Sequence, residues 1–153
     1  MRTVKNILDS KPKMYNIVQA GTLVIDALQQ LNSVNLSYLV VMEGDDYKGI
    51  FCERDYTRNV ILKGRTSSST KVEEVMTVDL PIVELTDTVE HCMNVMNDHK
   101  ARYLLVYHDN RFMGVVTIHD LLRQVIAGKE DVFDHKLAQK LLDQEEAGSG
   151  RIY

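Results

Sequence analysis

Gly49-Ile-Phe-Cys-Glu-Arg-Asp55 and Gly114-Val-Val-Thr-Ile-His-Asp120 share one outline: a glycine, a short apolar run and an aspartate, 65 positions apart. Sliding the chain along itself by that distance also brings Arg58 onto Arg123, and Tyr38, Leu39 and Val41 onto Tyr103, Leu104 and Val106. Over residues 17–64 and 82–129, 12 of 48 aligned positions are identical, where ordinary residue usage gives roughly three. The apolar pattern repeats more fully than the letters. Val24, Ala27, Leu28 and Leu31 become Val89, Cys92, Met93 and Met96, both at the i, i+3, i+4, i+7 spacing of one helix face. Tyr56, Val60 and Ile61 become Leu121, Val125 and Ile126 in a second predicted helix. The chain contains an internal duplication.

Each copy reads in the same order. An extended piece (Tyr15–Val18, then Leu80–Val83) precedes a helix entered at Thr22 or Asp87. Both are good N-cap residues, and Asp87 with Glu90 has capping-box spacing. These helices are predicted to end near Val34 and His99. The runs Tyr38–Met42 and Tyr103–Tyr107 read as strands covered on both faces. Polar turns at Glu43–Asp46 and His108–Arg111 deliver second strands, Tyr47–Cys52 and Phe112–Thr117. Last helices start near Arg54 and His119 and stop near Gly64 and Gly128, each suited to a C′ position. The expected fold is α+β, two β-α-β-β-α repeats packed as a pair: residues 1–66, then 71–128 beyond a polar RTSSST linker. A copy of roughly 60 residues has little core of its own, so the two are expected to pack as one unit. Residues 129–153 are expected to be a helix and a frayed tail, with Val132, Phe133, Leu137 and Leu141 or Leu142 on one apolar face.

Composition narrows the class. The chain has 153 residues, 18 basic and 22 acidic, a net charge of −4, and 44% hydrophobic residues. That is enough apolar material for a core, and 2 Cys with 2 Pro exclude a disulfide scaffold and collagen. Mild acidity argues against a nucleic-acid partner, since phosphate neutralisation needs a clustered positive face. The longest apolar runs are five residues, far short of a membrane span. With no secretory-type N-terminus and only two cysteines, a soluble cytoplasmic protein is expected. There is no Walker A sequence, GxGxxG, GxSxG, HExxH or CxxC, so catalysis and a structural metal are not expected.

The doubled Gly-to-Asp phrase and the tandem β-α-β-β-α order resemble cystathionine-β-synthase (CBS) domains, arranged as the pair known as a Bateman module. The resemblance covers about residues 1–128. It implies a pseudo-twofold pair with clefts that bind an adenosine-containing ligand: AMP, ADP, ATP, NAD or S-adenosylmethionine. It also implies a regulatory role without catalysis, a homodimer and a separate effector protein.

Local chemistry agrees with that implication. Thr117 ends a strand and Asp120, three positions on and next to His119, begins a helix. A carboxylate is an acceptor-only group that suits the two vicinal hydroxyls of a ribose. By the resemblance Thr117 and Asp120 hold ribose or phosphate, Leu80, Pro81, Ile82, Val83 and Tyr103 line the base, and Arg102 is the phosphate partner. An aspartate opening a helix is also an ordinary cap, and Thr117 an ordinary strand residue. In the first copy Cys52 stands where the family has a hydroxyl, and a thiol is a weaker donor. Asp55 remains, flanked by Arg54 and Arg58, with Lys63 and Arg65 following; these cations suit phosphates or form a solvated face. Tyr15, Asn16, Ile17 and Tyr38 are its base-side lining by analogy. The reading is an adenine-nucleotide sensor; the alternative is a structural or oligomerisation module without ligand.

Overall fold

Tyr38–Met42 is apolar at every position because the strand it forms is buried at every position, as expected of a strand covered on both faces. A computed structural model describes residues 2–12, 16–33, 37–127 and 140–141. In chain order the elements are α1 (Val4–Ser10), β1 (Ile17–Gln19), α2 (Val24–Ser33), β2 (Tyr38–Glu43), β3 (Asp46–Cys52) and α3 (Glu53–Tyr56). A π turn (Thr57–Ile61) and a 3-10 turn (Val72–Glu74) follow, then β4 (Ile82–Glu84), α4 (Val89–His99), β5 (Tyr103–His108), β6 (Arg111–Thr117) and α5 (Ile118–Ala127). The fold is α+β, with two three-stranded sheets ordered β1-β2-β3 and β4-β5-β6. In each the first strand is parallel to the second and the second antiparallel to the third. The register repeats residue for residue: Ile17 faces Val40 and Ile82 faces Leu105, with matching bulges at Val41/Met42 and Val106/Tyr107.

Each sheet buries one face against its own helices. Leu39, Val41 and Phe51 pack with Val24, Ala27 and Leu31 of α2. Leu104, Val106 and Val116 pack with Val89, Met93 and Met96 of α4. Complete burial of such side chains is worth about 1.5–3 kcal/mol each. The first helix of each copy starts one residue later than expected. Thr88, not Asp87, caps α4, its hydroxyl accepting the His91 N–H at 3.0 Å. Asp87 instead accepts the Glu84 N–H at 2.8 Å and closes the turn out of β4. The last helix of the first copy is not continuous, an α turn passing into a π turn, while α5 is a regular helix of 10 residues. Gly64 takes φ +71° beyond the π turn, the left-handed conformation suited to glycine.

The chain divides differently from the expected 1–66 and 71–128. Among the described residues, one compact unit combines 2–12 with 80–127 and 140–141, and those between 16 and 79 form the other. The reason is a pair of equivalent completing segments. Thr70 O accepts the Val24 N–H at 2.8 Å, and Arg2 O accepts the Val89 N–H at 3.2 Å. Val72 N donates to Thr22 O at 2.8 Å, and Val4 N donates to Asp87 O at 2.9 Å. Val72 and Val75 enter the first core, and Val4 and Ile7 of α1 enter the second. Asn59 and Gln124, equivalent positions of the two last helices, tie the segments down: Asn59 Nδ2 donates to Val75 O at 3.0 Å, and Gln124 Oε1 accepts from Arg2 Nη1 at 2.6 Å. Neither α1 nor the exchange of segments is foreseen by the 65-residue register. The expected C-terminal helix lies outside the described residues except at Lys140 and Leu141, which are helical, Leu141 being buried in the second core.

Gly49 shows what the glycine of the repeated phrase is for. A Cβ there would lie 2.6 Å from Met76 Sδ and 2.8 Å from Thr77 O, while Thr77 pairs with Ile50 in both directions at 2.8 and 2.9 Å. The absent side chain lets the completing segment lie flat on β3. Gly49→Ala is therefore expected to destabilise the protein by about 1–3 kcal/mol, read as a lower denaturant midpoint with unchanged slope; an unchanged midpoint would contradict this packing.

Candidate functional site

The corner between the last strand and the last helix has the same construction in both copies, and its aspartate is not the N-cap but the third helical residue. In the second copy Thr117 N donates to Asp120 Oδ2 at 2.9 Å, and Asp120 N donates back to Thr117 Oγ1 at 3.2 Å. This is a reciprocal capping box. In the first copy Cys52 N donates to Asp55 Oδ2 at 2.9 Å, and Cys52 Sγ lies 3.3 Å from the same oxygen. A thiol thus fills the hydroxyl's place without breaking the corner. Both carboxylates are 5% exposed.

The remaining partners differ. Asp120 Oδ2 accepts from Lys11 Nζ at 2.8 Å, and Oδ1 from Arg123 Nη1 at 3.1 Å. Asp55 Oδ1 accepts from Thr77 Oγ1 at 2.6 Å. A carboxylate has about four acceptor positions, and among the described residues each of these uses three. Burial pushes the Asp55 carboxyl above its ordinary value, opposed by the bonds from Thr77 and Cys52 and by the charge of Arg58. His119 is pushed below 6.5 by burial and by the Arg123 charge, with Asp120 acting the other way. Burial raises Cys92 to about 12, which makes it an inert core thiol.

The other expected residues divide into open and packed. Ile82 is 60% exposed and Ile17 38% exposed, and Leu80 and Pro81 are half-buried. Val83, by contrast, is core, Asn16 is buried with Nδ2 donating to Tyr38 O at 3.0 Å, and Tyr38 is itself buried. Tyr103, Arg102, Arg54 and Cys52 are half-buried, and Arg102 O accepts the Ile118 N–H at 3.0 Å. Arg58 and Lys63 are exposed, as is Arg65, whose Nη1 donates to Asn59 O at 3.0 Å. Tyr15 lies outside the described residues. Three participants escape sequence reasoning. Lys11 and Thr77 belong to the completing segments, outside the duplicated stretch. Arg123 is visible only as the repeat of Arg58. Among the described residues no group of three or more His, Cys, Asp or Glu side chains is placed to hold a metal ion, and no helix is long and apolar enough to cross a membrane.

The electrostatics of this corner is testable at His119. Because its folded-state pKa lies below 6.5, the unfolded chain takes up that proton first, and the contribution to stability is lost as pH falls below 6.5. A proton NMR titration is expected to give His119 an apparent pKa below 6.5, and Arg123→Gln is expected to raise it. A value that stays put on loss of Arg123 would contradict the geometry.

Comparison with known proteins agrees with this architecture. Residues 72–127 match the CBS domain model. The chain is 34% identical over 108 residues to the CBS domain-containing protein CBSX3, mitochondrial, of Arabidopsis thaliana, covering 67% of this chain and 52% of that one, so it spans about half the relative's length. A solved structure of a protein with CBS domains from Burkholderia ambifaria superposes with a TM-score of 0.75 at 35% identity, over 87% of this chain and 100% of that one. The structure of CBSX2, solved in complex with AMP, shares the fold with a TM-score of 0.68 at 23% identity, over 85% of this chain and 100% of that one. A 65-residue duplication, two sheets in one register and a match across the whole of a CBS-domain structure lead to one conclusion: the chain belongs to the CBS-domain family, as a tandem pair.

Proposed function

We propose that the chain is a regulatory module that binds an adenosine-containing ligand, AMP foremost, at the strand-to-helix corner of its second copy. One observation carries this reading. Among the described residues, two of the three groups on the buried Asp120 carboxylate are flexible side-chain cations, Lys11 and Arg123, and the third, the Thr117 N–H, is part of the fold's own frame. The capping bond uses one acceptor position and leaves the rest to groups that can yield, so capping and ligand binding do not compete. A ribose diol brings two donors to a carboxylate. Thr117 Oγ1 already accepts a backbone N–H and keeps its own hydrogen for a ribose or phosphate oxygen. Ile82 offers an exposed apolar surface to a base, and Arg102 a guanidinium to phosphate. AMP is put first because CBSX2 was solved with it; ADP, ATP, NAD and S-adenosylmethionine share the same diol.

The first copy is the poorer candidate, because Thr77, which fills Asp55 Oδ1, is fixed by backbone pairing to Ile50. In this reading the module does no chemistry itself. It works as a homodimer and passes the binding event to a separate effector protein, shifting a pre-existing equilibrium by the ligand's differential affinity for its two states. Its compartment is proposed as the cytoplasm.

A thermal-stability screen with AMP, ADP, ATP, NAD and S-adenosylmethionine tests the proposal. At 100 times its dissociation constant a ligand should add about 2.7 kcal/mol of stability, and Asp120→Ala should abolish the gain. No stabilisation by any of the five would favour the structural or oligomerisation module; a gain that survives Asp120→Ala would place the ribose elsewhere.

A further inference from the structure

Lys11 is the C-cap residue of α1, its backbone N–H closing on Leu8 O. Its ammonium is drawn inward, donating to Asp120 Oδ2 at 2.8 Å and to Val115 O at 2.9 Å, with the side chain only 26% exposed. Arg123, the other cation on Asp120, is 73% exposed and three residues away on the same helix, an arrangement that is weak and easily exchanged with water. The Thr117 N–H is fixed in the capping box. Oδ2 carries both the Lys11 ammonium and the fixed Thr117 N–H, and Oδ1 the Arg123 guanidinium; with about two acceptor positions on each oxygen, a diol that sets one hydroxyl on each oxygen must displace Lys11 from Oδ2. Lys11 is the one whose departure has a structural consequence.

That consequence falls on α1. The N-terminal half of α1 is secured by Val4 N to Asp87 O, Lys5 N to Leu85 O, and the neighbouring Arg2 to Gln124. The C-terminal end has Ile7 in the core and, beyond it, the Lys11 ammonium on β6 and α5. Among the described residues the first copy shows no such device: Thr77, on the equivalent carboxylate, is held by two backbone bonds to Ile50.

We infer that Lys11 is a displaceable internal cation, which occupies the Asp120 carboxylate in the absence of ligand and is expelled by a ribose diol, loosening the C-terminal turn of α1. The inference rests on the ligand reading of Asp120 given above and adds its regulation: ligand binding at the second copy is reported through α1.

Calorimetric titration with AMP and amide hydrogen exchange, on the full chain and on Lys11→Met, test it. In the unsubstituted chain AMP is expected to speed exchange at Ile7–Lys11. Lys11→Met is expected to bind AMP about tenfold more tightly, within the usual span of coupling between sites, and to show fast exchange there before AMP is added. Lys11→Gln, which keeps a hydrogen-bond donor and drops the charge, is expected to lie between the two and serves if Lys11→Met does not fold. Equal affinity, or α1 exchange indifferent to AMP, would overturn the latch while leaving the site intact. Weaker binding by Lys11→Met would make Lys11 a contact of the ligand, most simply of its phosphate, and also overturn it. If the unsubstituted chain binds none of the five adenosine ligands, the ligand reading itself fails and the latch falls with it.

Discussion

A single hydrogen bond recurs at the centre of both repeats: the backbone N–H at the end of the last strand donates to the carboxylate three residues later, at 2.9 Å in each copy. It sets the angle at which strand becomes helix and holds a buried carboxylate in one orientation. Burying an ionised group is costly unless it is fully bonded, so each copy must bring further donors to the same oxygens. Where those donors come from decides much of the rest. The first copy supplies a hydroxyl from a segment paired to its edge strand, and the second an ammonium and a guanidinium.

Two of those donors, Thr77 and Lys11, arrive on segments that lie outside the repeat they complete, whereas Arg123 belongs to the second copy's own α5. Residues 70–77 close the first copy and residues 2–11 the second, through equivalent backbone bonds and equivalent apolar side chains. Each copy alone would expose the helix-start carbonyls and part of its core. The duplication has therefore produced two units, neither of which is complete within its own contiguous repeat. A change at a carboxylate is also a change at the segment that covers it, and this links the candidate binding corner to an element remote in sequence.

Much of this was legible in the letters because the physics that imposes the pattern is local. Strand burial on both faces demands unbroken apolar runs, as at Tyr38–Met42 and Tyr103–Tyr107. Helix packing demands the spacing of Val89, Cys92, Met93 and Met96. The glycine-to-aspartate phrase marks the corner because Gly49 must leave room for Met76 and Thr77. What escaped was non-local. The bond from Lys11 to Asp120 joins residues 109 apart, and nothing in a short basic segment signals its partner. The cap of α4 moved from Asp87 to Thr88 because Asp87 closes the preceding turn, a choice that neighbouring cap-forming residues leave open. Val83 and Asn16 were expected to line the base, but strand alternation and a bond to Tyr38 O turn them inward.

The two copies are thus alike in frame and unlike in how their carboxylates are occupied. A neutral donor on a fixed backbone holds one, and long charged side chains hold the other. On the proposal above, ligand and Lys11 contend for the same oxygens of Asp120. A crystal structure of the chain soaked with AMP tests this most directly. Ribose hydroxyls within hydrogen-bond distance of Asp120, with the Lys11 ammonium withdrawn from it, are the predicted result; AMP bound elsewhere, or a ribose on Asp120 with Lys11 still in place, would contradict it.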